Sequence, residues 1–169
     1  MLVGHEVGHA LFTPDTEWFL DRKISQQFVN IVEDVRIEKL IKRRYPGLAK
    51  TFFNAYNELS DNDFFDVQGK DLEEMNLADR INLYFKIGNF VDIDFSIEEM
   101  LYVNKVDSCE TFEEVLDAAE ELYNYCKQQM DQQESIAPIE GTGENEGSLE
   151  ENDTPSDGQG EEKDGEVDI

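Results

Sequence analysis

All the aromatic side chains of this 169-residue chain fall within its first 133 residues, and that division decides how much of it can fold. From Asp131 onward come 14 acidic side chains and one lysine, set among Gly, Ser and Asn, as in Gly141-Thr142-Gly143-Glu144-Asn145-Glu146-Gly147. Such a segment buries too little apolar surface to offset the entropy lost on ordering it. Residues 134–169 are therefore expected to be a disordered acidic linker or tail. Residues 1–133 are expected to form one folded domain.

The charge balance narrows the partners. The chain has 40 acidic and 14 basic residues, a formal net charge of -26. Phosphate backbones and anionic membrane surfaces repel such a chain, so nucleic acid and membrane are not its expected partners. The one basic cluster, Lys39, Lys42, Arg43 and Arg44, reads as a helix C-terminus, where cations meet the negative end of the macrodipole. Cys109 and Cys126 lack metal-type spacing and read as small buried residues in a reducing compartment. No apolar run approaches the ~20 residues of a membrane span, and no basic, apolar leader is visible. The expectation is a soluble cytoplasmic protein, in the host cytoplasm if phage-encoded.

Hydrophobic periodicity gives a mainly α reading. A short helix is expected over 2–12, broken by Thr13-Pro14-Asp15. Residues 24–44 carry Ile24, Phe28, Ile31, Val32 and Val35 on one face, with Val29, Ile37 and Leu40 as a second apolar surface. A helix apolar around so much of its circumference belongs at the centre of a core. Further helices are expected over 48–59 and 71–88, with a loop at 60–69. Ser96 with Glu99, and Thr111 with Glu114, resemble capping boxes. They open helices running to about Asn104 and about Gln132. Asn89–Phe95 is the only strand candidate.

The chain's only two histidines stand in His5-Glu6-Val7-Gly8-His9, an H-E-x-x-H pattern. Residues i and i+4 lie one turn apart on one helix face, so both imidazoles can reach one ion. Glu6, beside the first ligand, is placed to take a proton as general base. Zinc bound in this way acidifies its water towards pKa ~7 and polarises a carbonyl. Gly8 costs roughly 1 kcal/mol against Ala in a helix, which points to close approach by another element.

Catalytic zinc commonly takes a third protein ligand, and with no third histidine a carboxylate is required. The expected source is the run Asn30-Ile31-Val32-Glu33-Asp34-Val35-Arg36-Ile37-Glu38. Glu33 projects between Leu40, Val29 and Ile37, and a carboxylate in an apolar stripe needs a partner. Zinc is one candidate; an ion pair with Arg36 or Arg22 is the other. Asp34 and Glu38 lie on another side of the helix. Asp34 suits an outer acceptor that orients an imidazole, or a salt bridge with Arg36 or Lys39.

At these residues the sequence resembles the gluzincin metallopeptidases, in which an H-E-x-x-H helix is followed by a glutamate ligand on a second helix. The wider block, Gly4 to Pro14 followed by Asn30 to Glu38, is similar to phage and bacterial metallopeptidase-like proteins that precede a von Willebrand A-type domain, relatives of the cobaltochelatase large subunit. That resemblance is specific over residues 1–45 and loose beyond. It implies a helical zincin-like core with His5, His9 and Glu33 on zinc, and a peptide or protein substrate. It also implies an A-type domain in the parent chain, with an ATPase as partner. Two departures stand out. Only four residues precede His5, where zincins have a sheet, and the D-x-S-x-S motif of A-type domains is absent; Asp92-Ile93-Asp94-Phe95-Ser96 does not fit it. The expectation is a piece of a longer protein that lacks its upstream sheet. The alternative function is a non-catalytic, metal-stabilised interaction module working with an ATPase or chelatase-like partner.

Overall fold

The computed structural model describes residues 1–136; the expected tail from residue 137 onward lies outside the described residues. The fold is mainly α, with no strand among the described residues. Helix α1 spans Leu2–Phe12, α2 Gln26–Arg44, α3 Gly47–Asp61, α4 Leu77–Ile87, α5 Ile97–Ser108 and α6 Phe112–Ile136. A single 3-10 turn lies at Trp18–Leu20 and another at Leu72–Glu74.

Local chemistry sets these boundaries. Ser96 caps α5 with a reciprocal capping box to Glu99, and Thr111 and Glu114 exchange the same pair of bonds at α6. The helix expected over 71–88 is shorter than its periodicity implied. Met75 is extended, and Asn76, also extended, caps α4 by accepting from the Asp79 amide at 2.8 Å. Asn side chains favour that role over a helix interior, so the cap divides the segment. At the other end α6 runs through Glu134, Ser135 and Ile136, past the boundary expected at 133.

Helix α2 is central and packs on all five other helices. Its N-terminal half contributes Val29, Ile31 and Val32 to a core shared with α4, α5 and α6, including Ile81, Val106, Val115 and Leu122. Its C-terminal half contributes Ile41 to a second cluster with Phe52 and Tyr56 of α3 and Leu83 and Ile87 of α4. Of the second apolar surface expected from the pattern, Val29 joins the first core and Ile37 packs against Gly8 of α1.

The strand candidate at 89–95 is a turn followed by extended chain without a ladder partner. Phe90 and Val91 donate back to the Ile87 carbonyl at 2.9 and 3.0 Å. Phe90, Val91 and Ile93 pack on the second cluster, so the apolar content that reads as strand serves as cover. Buried Arg80 secures the segment: its guanidinium donates to the Asp94 carbonyl at 3.1 Å and pairs with Glu99. Of the expected basic cluster, Lys42, Arg43 and Arg44 lie in the last turn of α2 and Lys39 precedes it. Lys39 donates to the Asp107 and Cys109 carbonyls at the end of α5, and Arg43 grips Glu110 at 2.7 Å. Both cysteines are buried and free. No helix among the described residues is long and apolar enough to cross a membrane.

Helices α1 and α2 run antiparallel, since His5 meets Glu38 while His9 meets Asp34. Their close approach depends on Gly8. A Cβ there would stand 3.0 Å from Ile37 Cδ1 and 3.4 Å from the Ile37 carbonyl oxygen. Gly8→Val should therefore push α1 off α2 and cost about 2 kcal/mol through overpacking. Denaturant unfolding of metal-free protein measures this; an unchanged midpoint would contradict the packing.

Candidate metal centre

Four helices bring polar side chains to one place. From α1 come His5 and His9, 17% and 30% exposed at the side chain. From α2 come Asp34 and Glu38, one turn apart like the histidines they face. Helix α3 adds Tyr56 and α4 adds Lys86.

The hydrogen bonds fix where the imidazole protons sit. Tyr56 donates its hydroxyl proton to Glu38 Oε1 at 2.5 Å. Burial and the Glu38 charge push the Tyr56 phenol well above its ordinary range, so it stays protonated. Glu38 Oε1 also lies 2.9 Å from His5 Nδ1. A carboxylate only accepts, so Nδ1 carries the proton. At His9, Nδ1 lies 3.0 Å from Thr13 Oγ1, and Thr13 donates its one proton to Glu33 Oε1 at 2.6 Å. The Thr13 oxygen must then accept from His9 Nδ1. In their neutral forms the two imidazoles would then present Nε2 lone pairs.

Those lone pairs converge with a carboxylate oxygen. His5 Nε2 and His9 Nε2 are 3.2 Å apart, Asp34 Oδ1 is 3.1 Å from His9 Nε2, and it is 3.5 Å from His5 Nε2. With both imidazoles neutral, three acceptor atoms would face one another here, an arrangement that could hold a cation. The spacing has a metal's scale: with zinc bonds of ~2.0–2.1 Å, two tetrahedral ligand atoms stand about 3.3 Å apart. His5, His9 and Asp34 are also the one group of histidine, cysteine or carboxylate side chains among the described residues whose ligand atoms lie close enough to hold an ion together. The donor set, two imidazoles and a carboxylate without sulfur, suits zinc.

Glu33 stands apart from the histidine group in this geometry. Glu33 is 2% exposed, as its apolar surroundings imply, but its partner is Arg36. Arg36 donates to Glu33 from Nε at 2.8 Å and from Nη2 at 2.6 Å, a two-pronged pair across one turn. The same guanidinium reaches the Phe12 carbonyl at 2.7 Å and so anchors the end of α1. Glu33 touches the histidines only through Thr13. Asp34, one residue on and turned 100° around α2, takes the place beside the imidazoles. Its expected salt bridge to Arg36 or Lys39 is replaced by Lys86 Nζ at 3.3 Å. Glu38 holds His5 from behind, and Arg36 belongs to the Glu33 pair. Glu6 is exposed and has no hydrogen-bond partner among the described residues.

Sequence reasoning missed Thr13, Tyr56 and Lys86. Thr13 was within reach, standing one turn after His9. Nothing local marks Tyr56 or Lys86, which arrive through tertiary packing. A cleft of about 640 Å³ opens on the centre, bounded there by His5, Asp34, Tyr56 and Lys86. Comparison with family models, with curated proteins and with solved structures finds no match for this chain.

Two outcomes follow. Glu33→Gln strips the buried Arg36 of its counter-charge and should cost about 3–5 kcal/mol in stability. Unfolding in the presence of a chelator reads that loss apart from any metal; a change below ~1 kcal/mol would contradict the pairing. In metal-free protein the Glu38 hydrogen bond, helped by the Asp34 and Glu38 charges and opposed by burial, holds the His5 pKa above the usual 6.5. A raised folded pKa means that the His5 contribution to stability is full below pH ~6.5 and is lost as pH rises through the folded value. Histidine NMR titration should show the raised pKa, and Glu38→Gln should bring it down.

Proposed function

We propose that this chain holds one zinc ion through His5, His9 and Asp34 and serves metal-assisted hydrolysis of a peptide or amide bond. The observation that carries this reading is the meeting of His5 Nε2, His9 Nε2 and Asp34 Oδ1 at 3.1–3.5 Å. The H-E-x-x-H spacing and the resemblance to gluzincins and to A-type-domain-associated metallopeptidase-like proteins support it. The third ligand in this reading is aspartate, from the same helix in which that resemblance implies glutamate.

Zinc supplies Lewis acidity, which activates water and polarises a carbonyl. The protein's own residues do the rest. Glu38 and Thr13 hold the two imidazoles in the tautomer that presents Nε2. Tyr56 fixes Glu38, and Lys86 neutralises the Asp34 oxygen turned away from the histidines. Glu6, exposed and beside His5, is the proton acceptor for the attacking water.

A second reading is favoured by one observation: the described residues hold no strand beside α1 along which an extended peptide could align. On that reading the metal stabilises an interaction module that works with an ATPase or chelatase-like partner, and Glu6 has no chemical task.

Zinc stoichiometry and affinity separate the roles. One zinc per chain is expected in the native protein. His5→Ala, His9→Ala and Asp34→Asn should each lose more affinity than Glu38→Gln, for which about 10–100-fold is expected. An Asp34→Asn variant that binds zinc like the native chain would remove Asp34 from the ligand set. At zinc a hundred times its Kd the stabilisation is about 2.7 kcal/mol, so a chelator should lower the Tm by several degrees. Glu6→Gln should keep the zinc and abolish hydrolysis; unchanged turnover would favour the interaction module.

A further inference from the structure

We propose that the corner between α2 and α3, where Lys42 and Arg44 of one helix meet Lys50 of the next, is a docking surface for a short acidic segment of a partner protein. It stands apart from the metal centre and does not rest on that reading. Between Glu38 and Glu58 the sequence holds five basic residues and no acidic one, in a chain whose net charge is -26. The fold gathers that stretch at one corner, since α2 ends at Arg44 and α3 begins at Gly47. Lys42 reaches across to α3, its ammonium 4.9 Å from the centre of the Phe52 ring.

Two of the five basic residues are already engaged. Lys39 and Arg43 pair with Glu110 at 3.3 and 2.7 Å. Lys42, Arg44 and Lys50 have no ion pair among the described residues, and Arg44 and Lys50 are exposed. The Arg44 guanidinium lies over the ring of Tyr45, itself 47% exposed. The α2 macrodipole accounts for Lys42 and Arg44, which lie in its last turn. It does not account for Lys50. That residue stands in the first turn of α3, at the positive end of a dipole, where a cation is disfavoured and no acidic residue offsets it. Position as well as composition therefore makes the corner positive, and a bound anion relieves both.

The rest of the chain limits the anion. At physiological ionic strength charges are screened beyond ~8 Å, so the corner attracts a ligand lying against it despite the net charge. A long polyanion such as nucleic acid, or an extended anionic membrane, also meets the acidic remainder of the surface and is repelled there. A short acidic peptide needs to touch only the corner. Its carboxylates can take two parallel hydrogen bonds from the exposed Arg44 and single ones from Lys42 and Lys50.

The test uses the full chain and an octaglutamate peptide as probe, at about 0.15 M ionic strength. Amide NMR shifts should move over residues 42–50 as peptide is added, with a Kd of about 1 mM or tighter. Arg44→Glu combined with Lys50→Glu should weaken binding about ten-fold or more. The neutral pair, Arg44→Gln with Lys50→Gln, should weaken it about three-fold and decides the matter if the charge-reversed chain fails to fold. Lys127→Glu, at an exposed position on α6, should change it less than about two-fold. No shift at residues 42–50 overturns the proposal, as does binding that survives the paired variants or falls as far with Lys127→Glu. A single-stranded DNA octamer that binds the corner more tightly than octaglutamate overturns the acidic-peptide partner and assigns the corner to nucleic acid.

Discussion

The contact of Gly8 with Ile37 sets the distance between α1 and α2, and the rest of the centre depends on that distance. Two antiparallel helices, each with polar side chains one turn apart, form a four-cornered site only if their axes come close. Histidines on one helix and carboxylates on the next then meet without any loop to place them. The glycine loses helix propensity on its own account, and what it gains is room for Ile37, whose Cδ1 would stand only 3.0 Å from a Cβ at this position. On this account, anything that widens the gap weakens the polar centre before it disturbs the larger core between α2, α4, α5 and α6.

Charge is distributed around that contact so that each buried carboxylate has its own partner. Glu33 is neutralised by Arg36, Glu38 is held by Tyr56 and His5, and one oxygen of Asp34 meets Lys86. The Glu33–Arg36 pair ties α1 to α2 through the Phe12 carbonyl and is a structural element. The remaining Asp34 oxygen faces the two imidazole Nε2 atoms, 3.1 Å from His9 and 3.5 Å from His5. This convergence is where the proposed cation would sit.

Much of this was legible in the sequence, for physical reasons that can be traced. The helices α1, α5 and α6 announce themselves through Pro14, Ser96 and Thr111, which act locally. The centrality of α2 was legible because its apolar residues run round most of its circumference. The choice between Glu33 and Asp34 was not. Adjacent residues differ by 100° around a helix, and with apolar residues on both surfaces of α2 the pattern does not say which side meets α1. Glu33 was rightly placed in an apolar environment, but Arg36 three residues on was an equally good partner and took it. Asn76 hid a helix start inside a continuous apolar pattern, and Phe90, Val91 and Ile93 imitated a strand while covering a helix cluster. Tyr56 and Lys86 reach the centre by packing alone, which no local spacing records.

The central claim is that His5, His9 and Asp34 together hold a metal ion. Anomalous diffraction from crystals grown with zinc locates the ion without regard to any activity. The account predicts one strong peak within bonding distance, about 2.0–2.2 Å, of His5 Nε2, His9 Nε2 and an Asp34 carboxylate oxygen. The Glu33–Arg36 pair should remain intact beside it. A peak bonded to Glu33 in place of Asp34, or no peak at the histidines in crystals that bind zinc elsewhere, would contradict it.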